Sequence, residues 1–315
     1  MIDSLPEIRI VHLRVRYRLR DPLPRAVFQG SLWRGAFGVA LKEALCLYER
    51  PLEHLCPECI LYTHCSYPPL FEPRVPAELS AGGSDDAPRP FVLQPPVGAT
   101  RPLKPGEEVE IGLLLMGPAL RDLPLLVRVM AHLGERGLGE RQARAALVRV
   151  EALNLERRVE VWPRKAPDAL PLIDREALLR RAEVLPEQLV LDFITPTRIK
   201  REGRLLVTPD AESVTRALLR RLISLAVLYG EPWYPPAQDL IATAAVLGGR
   251  AETNWEGASH VSTRQQQRIP LDGFTGQLHL DHVPLDLRAL LLLGSLAHVG
   301  KMATYGHGWY EVKGV

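Results

Sequence analysis

The sequence predicts an α+β protein made of two tandem ferredoxin-like (βαββαβ, RRM-like) domains, the first carrying a cysteine-rich insertion. Three observations carry that expectation. Residues 11–19 alternate with the period of a strand, residues 31–45 and 209–230 repeat apolar positions with the period of a helix, and one supersecondary order runs twice along the chain. At 315 residues the chain also exceeds the roughly 250–300 residues at which single cores stop growing.

In residues 11–19, Val11, Leu13, Val15, Tyr17 and Leu19 share one face, while His12, Arg14, Arg16, Arg18 and Arg20 share the other. Ser31 is the expected N-cap of a helix to about Leu45, with an apolar stripe of Trp33, Phe37, Ala40, Leu41 and Ala44. The four cysteines follow in an insertion over 46–72, and then a Pro- and Gly-rich loop over 73–105 whose middle reads as mobile. Within that loop PFVLQ is a short strand. Residues 107–116 form a strand, 123–133 an amphipathic helix and 146–153 another strand, which closes the first domain near residue 162. Three prolines between 163 and 171 mark a linker, which continues with a short helix to about 185.

The second domain, 186–315, repeats the order. Residues 189–194 are a strand and 195–208 a basic hairpin with Arg198, Lys200, Arg201 and Arg204. Thr208-Pro209 is an N-cap followed by proline at the first helical turn, opening a helix to Gly230. Residues 261–269 and 276–282 read as paired strands. The helix over 285–299 is apolar on nearly every side and should be buried all round. It leads into Gly300, Lys301, Thr304, Tyr305, Gly306, His307 and Gly308. A glycine-punctuated, cationic loop can offer its backbone N–H groups to a phosphate. A last strand starts near Gly308.

Net charge is only +2, so overall charge does not announce a polyanionic partner; arginine outnumbers lysine, and arginine suits bidentate phosphate contact. No apolar run approaches the roughly 18 residues needed to span a bilayer, and the N-terminus lacks the basic start and apolar core of a signal peptide. The expected setting is cytoplasmic, with reduced cysteines and no membrane. Glu108 and Glu110 lie on one face of the strand expected beside residues 11–19, so cross-strand ion pairs should absorb much of that arginine charge. The 198–204 hairpin has only Glu202 to offset its charge and is the better candidate for a phosphate contact.

Cys46, Cys56, Cys59 and Cys65 form C-x9-C-x2-C-x5-C and use every cysteine in the chain. Four thiolates around one close pair suit a structural zinc ion. An iron–sulfur cluster is the alternative, and a metal-free loop of small buried thiols is the third possibility.

The segments LDFITPTRIKREGRLL (191–206), the following helix ending in LYG, RQQQRIPLDGFTGQL (264–278) and HVGKMATYGHGWYEV (298–312) resemble, in that order, the CRISPR-associated RAMP endoribonucleases that process precursor crRNA, the Cas-six family. GSLWRGAFGVALKEALC (30–46) resembles the family's first-helix segment. The resemblance implies twin ferredoxin-like domains, CRISPR repeat RNA as partner (with other Cas proteins of an effector complex as further partners), and cleavage without a catalytic metal. It implies attack by a ribose 2′-OH on the adjacent phosphorus, leaving a 2′,3′-cyclic phosphate and a 5′-OH. The alternative is a non-catalytic RAMP subunit that carries crRNA. RNA contacts are expected from Arg198, Lys200, Arg201, Arg204, Arg264, Arg268, Gly300, Thr304, Tyr305, Gly306 and Gly308.

The family's catalytic histidine commonly lies in or near the first helix, and residues 31–45 contain none. His298, at the end of the terminal helix where the macrodipole favours a protonated imidazole, is the first candidate for general acid. Its competing reading is a histidine that packs beneath the loop and shapes it. His307 is the second candidate, and Lys301 is expected to stabilise charge on the phosphorane. His12, His54 and His64 are further possibilities, the last two as ligands or as exposed side chains.

Overall fold

The computed structural model describes residues 5–24, 28–74, 87–98, 101–163, 169–257, 259–262 and 267–315, with only the backbone described for 259–262 and 267–270. The expected middle of the 73–105 loop and Arg264 lie outside these residues. The chain divides into two compact units, Ile10–Leu172 and Met1–Arg9 with Ile173–Val315. Residues 5–9 therefore belong with the second unit.

The first unit runs β1 (Ile10–Leu19), α1 (Gly30–Leu45), α2 (Tyr67–Phe71), β2 (Phe91–Gln94), β3 (Glu108–Met116), α3 (Leu123–Arg136), β4 (Ala145–Leu153) and β5 (Arg158–Trp162). Its antiparallel sheet has the order β2-β3-β1-β4-β5, which is the ferredoxin-like arrangement extended by β5 at one edge. The alternating apolar side chains of β1 are all buried, beneath Trp33, Phe37 and Leu41 of α1 and Leu126, Val129 and Leu133 of α3. The opposite face of β1 carries the expected ion pairs. Arg16 lies opposite Glu110 and Arg18 opposite Glu108, with N–O distances of 3.0 and 2.9 Å. No capping bond from Ser31 starts α1. Gln29 precedes the helix, and its side-chain oxygen accepts the Trp33 indole N–H at 3.0 Å within the first turn.

The second unit contains α4 (Arg175–Glu183), β6 (Leu189–Thr197), β7 (Lys200–Arg201), β8 (Arg204–Leu205), α5 (Ala211–Tyr229), α6 (Ala237–Ala245), β9 (Gly249–Glu256), β10 (Ser259–Ser262), β11 (Gln267–Pro270), β12 (Gly273–Leu280), α7 (Leu285–Ala297) and β13 (Tyr310–Gly314). The sheet order β13-β6-β12-β9 repeats the ferredoxin-like pattern. Phe193, Phe274 and Tyr310 meet at its centre, and the Tyr310 hydroxyl donates to the Leu291 carbonyl of α7 at 2.7 Å. Helix α7 is buried along nearly its whole length, as its apolar composition requires.

Three local expectations change. Asp210, not Thr208, caps α5, because its carboxylate accepts the Ser213 N–H at 2.7 Å at the start of the helix. Residues 261–269 do not form one strand: β10 and β11 pair with each other as a separate hairpin. The partner of β12 on that side is β9, an edge strand exposed or half-buried at every position, whose sequence GRAETNWE has no apolar alternation to announce it.

Candidate nucleic-acid interface

The glycine-rich loop after α7 is folded down onto the end of β6. Lys301 N–H donates to the Arg198 carbonyl at 2.9 Å and Gly308 N–H to the Pro196 carbonyl at 3.2 Å. Val299, Tyr305 and Gly306 spend their amides within the loop, on Gly308, Met302 and Ala303. Thr195 supplies the remaining stitch, its hydroxyl donating to the Gly306 carbonyl at 2.6 Å and accepting the Trp309 amide at 3.1 Å. Glycine is needed at two of these points. Gly308 has φ +67°, and a Cβ there would strike the Val299 carbonyl; Gly300 has φ +81°, and a Cβ would lie 2.5 Å from the Arg198 oxygen. The glycines thus permit close packing of backbone on backbone. The amides of Lys301, Tyr305, Gly306 and Gly308 thus have carbonyl partners and are not open to a phosphate.

Both loop histidines are enclosed, with 0% of their surface exposed. His298 is not in the last helical turn but just past it, at φ +60°. Its Nδ1 lies 3.1 Å from the His307 carbonyl and its ring is nearly parallel to that of Trp309. The carbonyl at the end of α7 is taken by Arg221, whose Nε donates to Ala297 at 2.7 Å, so the helix terminus is capped by an arginine that sequence reasoning missed. His307 Nε2 lies 3.1 Å from the Leu271 carbonyl, and burial lowers its pKa to about 4, with Arg198 acting in the same direction. Both candidate histidines are therefore packed beneath the loop, each imidazole donating to a main-chain carbonyl. His12 on β1 is likewise held neutral, with burial first and Arg14 second lowering its pKa to about 3.

Arg198 is 8% exposed and bonds to both the carbonyl and the carboxylate of Asp272, so it braces the start of β12 and is not open to phosphate. Thr304, Gly306 and Gly308 are buried; Gly300 and Tyr305 are half-buried. The Arg268 side chain lies outside the described part.

Exposed side chains tell a different story. In the hairpin, Arg201 pairs with Arg204 across a turn in which Glu202 and Gly203 both have positive φ. Lys200, Arg204 and Lys301 are all exposed, and none has an ion-pair partner among the described residues. Arg201 is exposed too, with Asp210 and Glu212 at 3.5 and 3.6 Å. Because the Lys301 amide is bonded to Arg198, two residues before Lys200, these cations form one rim at the end of β6. Closely spaced, poorly neutralised side-chain cations are what a phosphate backbone requires.

The cysteine segment lies in the first unit. All four thiols are free; Cys56 is buried against the domain core, while Cys46, Cys59 and Cys65 are half-buried. Among the described residues no three His, Cys, Asp or Glu side chains are grouped so as to hold a metal ion. His54 stacks on Tyr48 at 3.7 Å, and His64 is exposed beside Thr63.

Two ferredoxin-like units in tandem, the second carrying a stitched glycine loop before its last strand, define the fold class of this chain. A family model described as an N-terminal domain, AF_1859_N, matches residues 7–172, just over half of the chain, and the model of the CRISPR-associated endoribonuclease Cas6 matches residues 191–310. The chain belongs to the family that AF_1859_N describes, and its residues 191–310 are a Cas6-family domain. A relative from Archaeoglobus fulgidus, described as an uncharacterized protein, is 26% identical over 290 residues, covering 91% of this chain and 92% of that one. Among solved structures, a chain of a partial Cas6-RT-Cas1–Cas2 complex superposes with TM-score 0.62 at 15% identity over 99% of this chain. The present chain spans 47% of that longer one. A Cas6 product complex superposes with TM-score 0.52 at 17% identity, covering 98% and 100% of the two chains, and Thermus thermophilus Cas6 with TM-score 0.50 at 17% identity, covering 98% of each. Among the described residues no helix is long and apolar enough to cross a membrane.

Proposed function

We propose that this chain is an endoribonuclease that processes precursor CRISPR RNA by cutting within the repeat. The observation that carries the reading is the cationic rim of Lys200, Arg204 and Lys301, built by the same 191–310 segment that matches the Cas6 model. In the proposed reaction a ribose 2′-OH gives up its proton and attacks the adjacent phosphorus. The bond to the 5′-oxygen breaks, and that oxygen takes a proton, so the products end in a 2′,3′-cyclic phosphate and a 5′-OH. Lys301 is the chain's candidate for stabilising charge on the phosphorane, while Lys200, Arg201 and Arg204 align the strand. His298 and His307 act as positioning residues: they hold the loop that presents Lys301. The reaction balances without a metal ion.

Two observations favour a second reading, a non-catalytic subunit that carries crRNA beside other Cas proteins. Helix α1 contains no histidine, and both loop histidines are enclosed. Incubation with end-labelled repeat RNA in excess EDTA separates the two. The endonuclease reading expects a discrete cut with a cyclic-phosphate end; salt-sensitive binding with no cut rejects it in favour of the carrier. In either role the expected setting is the cytoplasm.

A further inference from the structure

Of the five tryptophans, Trp33, Trp233 and Trp309 are buried and Trp162 is half-buried; only Trp255 is exposed, at 39%. An indole is the largest side chain, and leaving it in water forgoes much apolar burial. The strand that carries it, β9, is the outer strand of its sheet.

The place of Trp255 in that sheet decides what it can meet. Thr197, Phe274 and Trp255 form one row across β6, β12 and β9. Phe274 is fully buried, so the row leaves the core at Trp255. With strands about 4.8 Å apart, the Trp255 backbone lies about 10 Å from Thr197, and the cationic rim begins just beyond Thr197. The returning arm of the basic hairpin closes that gap. After β8 the chain runs to Val207, whose carbonyl accepts the Thr253 hydroxyl at 3.2 Å. Thr253 and Trp255 are two residues apart and share a face of β9, so Trp255 stands beside the arm that carries Arg204. Charge on β9 is sorted in the same way. Arg250, Glu252 and Glu256 alternate onto the opposite face, where Arg250 pairs with Glu252 at 2.8 Å and Glu256 accepts the Thr275 hydroxyl at 2.9 Å. Gly249, Ala251, Thr253 and Trp255 leave their own face without a carboxylate to repel a phosphate.

We propose that Trp255 stacks one unpaired base of the RNA whose phosphates the rim holds. This role rests on the RNA-binding reading and adds a requirement that cations alone do not impose: the RNA must be single-stranded at β9. Every base has a π-face, so an indole beside phosphate-binding cations tolerates any sequence but rejects a base that is paired and stacked within a duplex. Lys200 and Arg204 act on the phosphates through charge, which salt screens. Trp255 acts on the base through dispersion and apolar burial, which salt leaves largely untouched. The two contributions are therefore separable.

The test uses the full chain in filter binding with labelled repeat RNA, in EDTA, over a salt series. Trp255→Ala should weaken binding roughly 5- to 150-fold, the range for loss of one stacked base, with the slope of log K against log salt unchanged. Trp255→Phe keeps an aromatic face and the apolar cover of the sheet edge, and should recover most of that loss. A scan of single abasic sites along the RNA should find a position that costs the parent about as much as the alanine substitution and costs Trp255→Ala nothing further. Binding by Trp255→Ala equal to the parent's, an equal loss in Trp255→Phe, or an abasic scan in which parent and variant lose alike would overturn the stacking role. If replacing Lys200, Arg204 and Lys301 with glutamine still flattens the slope in that event, the RNA reading stands without it. If the parent shows no salt-dependent binding, both fall.

Discussion

Replacing Lys200, Arg204 and Lys301 together with glutamine removes the three exposed, unneutralised cations of the rim and no buried contact. Each phosphate contact contributes about 0.7 (single strand) to 0.9 (duplex) to the dependence of log K on log salt, so three should flatten the slope by roughly 2 to 3. Between about 50 and 200 mM salt, the triple variant should then lose roughly 20- to 40-fold less affinity than the parent, because it starts weaker and has fewer counterions to release. The assay is filter binding of repeat RNA across a salt series. Arg198→Gln serves as the contrast. It breaks the pair with Asp272 and should lower stability while leaving the slope of the remaining folded protein unchanged. An unchanged slope in the triple variant would refute the rim as the RNA contact, whatever the change in affinity at a single salt concentration.

Three other outcomes follow from the same geometry. His298→Ala removes a fully buried ring and its bond to the His307 carbonyl, and should cost about 2–4 kcal/mol in chemical denaturation. RNA binding and cleavage should fall together; loss of cleavage alone, with stability and binding intact, would restore it as the general acid. His307 is neutral in the fold with a pKa near 4 against about 6.5 when unfolded, so the unfolded chain takes the proton first as pH drops. Its contribution is complete above about pH 6.5 and declines towards pH 4, by up to about 3 kcal/mol, and His307→Gln should flatten that part of a urea-midpoint-versus-pH curve. For Arg16 and Glu110, each about one-third exposed, a double-mutant cycle should give a coupling below about 1 kcal/mol and no change in RNA salt slope. A changed slope would place β1 in the RNA path.

Much of this architecture was legible because periodicity reports burial. The β1 alternation and the all-apolar α7 named their own core faces, and Glu108 and Glu110 named the partners of the β1 arginines. What periodicity could not supply was the occupant of each hydrogen-bonding group. A run such as GKMATYGHG looks the same whether its amides face a ligand or another strand; only the carbonyls of Pro196 and Arg198, about a hundred residues away in sequence, decide it. His298 illustrates the same limit, since ending α7 at Ala297 in place of Val299 moves it from a helical turn to a positive-φ cap beside Trp309. The strand β9 escaped notice for a different reason: an exposed edge strand needs no apolar face.

The most direct measurement is photocrosslinking of repeat RNA carrying 4-thiouridine, followed by peptide mapping. The cationic rim predicts adducts concentrated in residues 199–206 and at 300–305. Adducts confined to other segments, with those two peptides recovered unmodified, would contradict it.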